Sequence, residues 1–266
     1  MKSLHRAVLR GTGAGGGVIP TVFPALAGRG VHFRRGELAM VAAEPGAGKS
    51  SFALHLAMQA KVPTLYVSAD SDIRTQTVRM MAAITGRTQE QVEQVLSTHD
   101  LWAADQLKSQ AHIEWVFDSA PSLDDIEDEV DAYITKHGEP PALLVLDNAS
   151  DIDADNGDEW SSLRALMRQM KFWARYWDMS VLALHHTSEA EKGNPCPPRS
   201  SIQGKVNQVP ALIITLASSE EGWMWACPVK NRHGKADKTG ENASSWQFWP
   251  ETMTFAVNPA DLHLVG

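Results

Sequence analysis

Ala43-Glu44-Pro45-Gly46-Ala47-Gly48-Lys49-Ser50-Ser51 is the stretch on which the fold turns. It follows the apolar run Leu38–Ala43 and opens the helical pattern Lys49–Gln59, so it reads as strand, small-residue loop, helix. The spacing is that of the phosphate-binding loop G-x-x-x-x-G-K-[ST], with Ala43 in place of the first glycine. Each part has a physical use. Small residues let backbone N–H groups wrap a phosphate, the helix N-terminus adds partial positive charge, Lys49 reaches β and γ oxygens, and the Ser50 hydroxyl binds Mg²⁺. Glu44, Pro45, Gly46, Ala47, Gly48, Lys49, Ser50 and Ser51 are therefore the candidate nucleotide contacts.

Working outward, short apolar runs alternate with helical periods, the pattern of repeated βα units around a parallel sheet. Further strands are expected at Thr64–Ser68, His112–Phe117, Leu143–Asp147 and Val181–His185, which lack alternation, as strands covered on both faces do. Helices are expected at Asp72–Ile84, at Thr88–Leu96, after the N-cap Ser122 up to Gly138, and at Ser161–Trp177. On the last of these, Leu163, Leu166, Met170, Trp173 and Trp177 fall on one face and read as core. After residue 210 the helices stop, and Ala211–Leu216, Trp223–Val229 and Ser245–Phe255 read as three antiparallel extension strands. Residues 1–28 form a Gly-rich arm by this reading, and 29–266 one α/β domain.

Two carboxylates are placed to serve the loop. Leu143-Leu144-Val145-Leu146-Asp147 ends a buried strand in the acid expected to hold Mg²⁺ with Ser50. Tyr66-Val67-Ser68-Ala69-Asp70 brings a second acid to the same sheet edge, where Asp70 can orient and deprotonate the attacking water. A helix-capping role is the plainer alternative for Asp70.

Composition bounds the rest. The 266 residues are 43% hydrophobic and 21% charged, with 19 Gly and 14 Pro, which excludes disordered, collagen-like and coiled-coil chains. No apolar run is long enough to span a bilayer, and the N-terminal pattern is not that of a signal peptide. With only Cys196 and Cys227, a disulfide scaffold or structural zinc site is excluded and a cytoplasmic setting is expected. The net charge of −8 argues against a uniformly polyanion-binding surface. Residues 1–60 nevertheless carry seven cations against Glu37 and Glu44, whereas 100–160 are crowded with acids such as Asp124, Asp125, Glu127, Asp128, Glu129 and Asp131. Acids at 151–159 hint at a calcium loop, but Gly157 and Ser162 stand at the wrong places.

The order of these parts resembles the RecA-like P-loop ATPases, specifically the hexameric replicative helicase branch of DnaB and RepA type and its small phage-encoded members. The resemblance covers residues 29 to about 256. Gly30-Val31-His32-Phe33-Arg34-Arg35-Gly36-Glu37-Leu38 is similar to the family's opening G-x-x-F-x-x-G-E-L. It implies ATP and Mg²⁺ as cofactors and a mixed eight-stranded sheet, with the sensor strand between the phosphate-loop strand and the Asp147 strand. Asp70 then takes the place of the catalytic acid, where most relatives carry Glu, and Arg79 that of an arginine near nucleotide. Val181-Leu182-Ala183-Leu184-His185-His186-Thr187 resembles the sensor strand, with His186 as the residue that reads the γ-phosphate. Val229-Lys230-Asn231-Arg232-His233-Gly234 resembles the K-x-R-x-G element, which implies that Lys230 and Arg232 act in a neighbour's site. It also implies a homo-oligomer, hexamer or filament, working on single-stranded DNA, with replication proteins as further partners. Of the loops 148–160 and 187–208, the second carries Lys192, Arg199 and Lys205 as candidate phosphate contacts. A DNA-independent regulatory ATPase acting on a protein partner is the competing reading, and a small-molecule kinase a distant third.

Overall fold

The computed structural model describes residues 17–97, 100–153, 159–188 and 194–257. A nine-stranded sheet runs through the domain in the order β3-β2-β4-β5-β1-β6-β7-β8-β9, formed by β1 (Leu38–Ala43), β2 (Thr64–Ser68), β3 (Ile113–Val116), β4 (Leu143–Asp147), β5 (Ser180–His186), β6 (Leu212–Ser218), β7 (Trp223–Asn231), β8 (Ser244–Trp249) and β9 (Thr254–Ala256). The first six strands are mutually parallel and the last three antiparallel. Strand β5 lies between β1 and β4, as the resemblance implies.

The seven helices among the described residues are α1 (Pro24–Ala27), α2 (Lys49–Ala60), α3 (Ile73–Thr85), α4 (Gln89–Leu96), α5 (Asp100–Leu107), α6 (Leu123–His137) and α7 (Glu159–Tyr176). Period-two alternation along the strands divides the core into two layers. In β1, Ala39, Val41 and Ala43 face the layer that holds Phe52, Leu56, Val78 and Met81 of α2 and α3. Leu38, Met40 and Ala42 face the opposite layer, with Ile126 and Val130 of α6 and Leu166, Met170 and Trp173 of α7. Continuous apolar strands are required because both faces are covered. Caps set the helix ends: Thr75 N–H donates to the Asp72 carboxylate at 2.7 Å, and Ser122 and Asp125 cap each other at the start of α6.

Three expectations change. Ser245–Phe255 is a hairpin rather than one strand, which raises the strand count to nine, because Pro250 has no N–H to give the ladder and the chain turns through Met253 at φ 55°. Helix α5 was not foreseen. Residues 17–28, assigned above to the arm, are part of the domain: Ile19, Val22, Phe23 and Leu26 are buried, and the Phe23 ring stacks on Phe52 with centroids 4.2 Å apart. Glycine content hid the four apolar residues that anchor this segment. No helix of the described residues is long and apolar enough to cross a membrane.

Candidate active site

The sheet's C-terminal edge gathers the ends of β1, β2, β4 and β5 at the phosphate loop. Gly46 and Gly48 adopt φ 78° and 86°, a left-handed conformation that turns loop amides toward one point and that side chains with a Cβ resist. At Gly48 an added Cβ would lie 2.5 Å from Met224 Cε, so β7 closes on the loop from behind. Lys49, the first residue of α2, sends its Nζ back over the loop and donates to the carbonyls of Ala43 (3.2 Å) and Glu44 (3.1 Å). Burial lowers its pKa against the opposing fields of Asp147 and Asp70.

Register delivers the acid. Ser68 pairs with Asp147 across β2 and β4, and the Asp147 carboxylate, 3% exposed, accepts from Ser50 Oγ at 3.1 Å and from the Tyr66 hydroxyl at 2.8 Å. Burial raises the Asp147 pKa while these two hydrogen bonds hold it down. Tyr66 is fully buried, and desolvation with the adjacent carboxylate pushes its hydroxyl well above its usual range, so it stays a donor.

On the neighbouring strand, Ala43 pairs with His186. His186 Nδ1 lies 3.4 Å from Lys49 Nζ, and its Nε2 lies 2.6 Å from the Asn148 side-chain amide. Lys49 has only protons to give, so Nδ1 must accept, which places the ring proton on Nε2 and turns the Asn148 oxygen toward it. That orientation also provides a partner for Asn148 Oδ1, a buried atom otherwise without one. Burial, and next the Lys49 charge, lower the His186 pKa, so the neutral ring is favoured. His185 points to the other side, 3.1 Å from the Gln203 carbonyl, and desolvation brings it down to about 4.

Asp70 is exposed at the mouth of the site, its backbone N–H donating to the Asp147 carbonyl at 3.3 Å. Its charge acts on Lys49, Asp147, Asp151 and His186. Arg79 donates to Ser71 Oγ at 3.2 Å and its field reaches Asp147 and Tyr66. The Ser51 hydroxyl is directed to Met253 Sδ, 3.7 Å away.

The structure thus brings together Lys49, Ser50, Asp70, Asp147 and His186. Lys230 and Arg232 are elsewhere. Lys230 pairs with Ile213 and Arg232 N–H donates to the Ala211 carbonyl, both at the N-terminal end of the parallel strands, where Ala39 pairs with Leu212. Along β1 this end is about 17 Å from the phosphate loop, at about 3.3 Å per residue. Arg199 begins a short 3-10 turn, and its charge is felt by Lys230. Lys205 ends the next such turn, and Lys192 lies outside the described residues.

Sequence reasoning missed Tyr66, Asn148 and Asp151. Tyr66 reads as one more apolar strand residue, and only the β2–β4 register shows its hydroxyl at the acid. The carboxylate and hydroxyl of Asp147 and Ser50, 3.1 Å apart, form the hard oxygen pair that Mg²⁺ prefers, and the glycine loop offers amides to phosphate, so the residues fit ATP with Mg²⁺. Among the described residues there is no group of three or more His, Cys, Asp or Glu that could hold a metal ion.

Known proteins share this sequence pattern and fold. Residues 26–192 match the AAA domain family. The Gene 65 protein of Mycobacterium phage L5 is 37% identical over 251 residues, covering 91% of this chain and 93% of the relative. A solved ATPase domain superposes with a TM-score of 0.79 at 16% identity, over 96% of this chain and 98% of the other. A DnaB-like replicative helicase, solved with its interactions with primase, gives a TM-score of 0.75 at 17% identity, over 96% of this chain and 67% of the helicase. With a loop that fits nucleotide phosphates, an acid and hydroxyl that fit its metal, and relatives spanning nearly the whole chain, the protein belongs to the AAA-domain ATPases, with a RecA-like helicase-type fold and phage-encoded relatives.

Proposed function

We propose that the chain is an ATP-hydrolysing motor on single-stranded DNA that works as an assembly of identical copies, each completing its neighbour's site. The observation that carries this reading is the position of Lys230 and Arg232. An arginine side chain reaches about 7 Å, while about 17 Å of strand separates these cations from their own phosphate loop. If they serve a nucleotide, it is one held by another copy.

Within one copy, Lys49 exchanges its two carbonyl acceptors for phosphate oxygens, which are acceptors of the same kind. Ser50 and Asp147 would hold Mg²⁺, which supplies charge neutralisation on the phosphates when bound. Asp70, exposed at the mouth, orients a water molecule and takes its proton. His186, in touch with Lys49 on one nitrogen and Asn148 on the other, relays the state of the phosphate to the loop that follows β4. The segment from Thr187 to Gln208 would contact the strand, with Lys192, Arg199 and Lys205 as phosphate-binding cations, while the acids of the loop after β4 would repel it. A DnaB-like neighbour known with its primase makes replication proteins the natural further partners.

The test is steady-state ATP hydrolysis with and without single-stranded DNA, at protein concentrations that assemble the chain, for wild type, Lys49→Ala and Arg232→Ala. Stimulation by DNA that both substitutions abolish is expected. The net charge of −8 favours the DNA-independent alternative, a regulatory ATPase on a protein partner. Hydrolysis indifferent to DNA and lost only in Lys49→Ala would establish that alternative instead.

A further inference from the structure

The end of the sheet that holds Lys230 is more cationic than its sequence element alone provides. Lys171 and Arg175, one turn apart on α7, line a shallow depression with Arg232, Gly36, Glu37 and Ala211. Arg199 and Lys171 both act on Lys230, as does Arg232. Five cations from three separate elements therefore converge in a chain whose net charge is −8. One carboxylate faces them: Glu37 lies 3.8 Å from Arg232 and 2.8 Å from His233. Lys171, Arg175 and Arg199 make no ion pair to another described residue.

Their positions are fixed by the fold rather than by flexible loops. Helix α7 is pinned by Trp173 Nε1, which donates to Glu127 at 2.6 Å. Arg199 N–H donates to the Lys238 carbonyl at 3.0 Å, and the Arg199 carbonyl accepts from Asn207 at 3.3 Å. Lys230 donates to the carbonyls of Asn207 (2.9 Å) and Gln208 (2.7 Å), which fixes the position of its ammonium. Like charges held together on a rigid frame repel one another, and a multivalent anion relieves that repulsion.

We propose that Lys171, Arg175 and Arg199 join Lys230 and Arg232 in a second phosphate-binding pocket, at the opposite end of β1 from the phosphate loop. The pocket itself rests on the clustering, while the source of its phosphate rests on the motor reading: the nucleotide of an adjacent copy, or the backbone of a nucleic-acid strand. Burial, and then the charges of Arg232, Arg199 and Lys171, bring Lys230 down to about 8. Since Lys230 is cationic below that value and neutral above it, phosphate affinity here falls as pH rises through about 8. Beside the cluster, the exposed rings of Phe172 and Tyr176 stack with centroids 5.4 Å apart, a platform on which a nucleobase stacks.

The direct experiment uses the full chain with Lys49→Ala, which disables the phosphate loop, and titrates inorganic tripolyphosphate by calorimetry at low salt. Residual binding is expected, weakened at least tenfold by adding Lys171→Glu and Arg199→Glu. No residual binding, or binding indifferent to the two charge reversals, overturns the pocket. With an intact loop, Lys171→Glu and Arg175→Glu, neither of which is a strand contact in the motor reading, identify the source. If it is a neighbour's nucleotide, DNA-free hydrolysis by assembled protein falls at least tenfold while binding of an oligothymidylate is unchanged. If it is a strand, oligothymidylate affinity falls at least tenfold, Tyr176→Ala weakens it further, and the salt slope drops by about 1.4, at about 0.7 per phosphate contact. A wild-type chain without ATPase activity would refute the motor but leave the tripolyphosphate result standing.

Discussion

Tyr66→Phe removes one oxygen from the centre of the site. The ring keeps its place in the core and its stack on Trp115, with centroids 4.5 Å apart, so the change isolates the hydrogen bond to Asp147. That bond runs to a buried carboxylate, and hydrogen bonds to charged groups are worth about 1.5–3 kcal/mol. Taking about 2 kcal/mol, urea unfolding at neutral pH should show a loss of that size, and the melting temperature should fall by about 4–8 °C, at about 2–4 °C per kcal/mol. Burial already raises the Asp147 pKa and Tyr66 opposes it, so the substitution raises it further. The carboxylate is the form that binds metal; hence the acidic limb of the ATPase profile should move to higher pH. Supporting partners of a metal ligand typically contribute about 10–100-fold, so the Mg²⁺ concentration for half-maximal activity should rise by about that factor. Unfolding within 0.5 kcal/mol of wild type, together with an unchanged Mg²⁺ titration, would refute the assignment of Tyr66 to the acid's support.

Gly48→Ala should cost about 1–2 kcal/mol from its left-handed backbone alone, and it should also abolish binding of a fluorescent nucleotide, because the new methyl displaces Met224 behind the loop. His185 is 2% exposed and titrates at about 4 in the fold, against 6.5 in the unfolded chain. Its neutral form is the native one, so stability is complete above about 6.5 and falls by up to about 3 kcal/mol as pH drops to 4; His185→Gln should flatten that part of the pH–stability curve. Phe23→Ala should cost about 3–5 kcal/mol in denaturant unfolding, the range for emptying a buried aromatic site, whereas a flexible arm would tolerate it.

What could be read without coordinates was chemistry written in consecutive residues. Loop, lysine and serine stand side by side in Gly46-Ala47-Gly48-Lys49-Ser50 because a single strand-to-helix turn must present them together. Asp147 closes an apolar run because a buried parallel strand has to end at the edge where ligands sit. Helix α6 announced itself through Ser122 and Gly138, each of which acts within one turn of its own position. Such signals are local, and they fixed the α/β class and the ATP-binding reading before any packing was known.

Register and packing decided the rest. Tyr66 looks like any strand residue until β2 pairs with β4 and its hydroxyl meets a carboxylate 81 positions away. Asn148 becomes part of the site only when β5 brings His186 against it. Phe23, in a Gly-rich lead, is core because α2 offers Phe52 to stack on. Arg199 reads as a loop cation, and only the fold brings its charge to bear on Lys230. In each case the partner lies far along the chain, and the energy of the contact depends on burial and distance that no window of sequence contains. Sequence by itself determined which chemistry this protein carries; only the tertiary structure decided which end of the sheet each charge occupies.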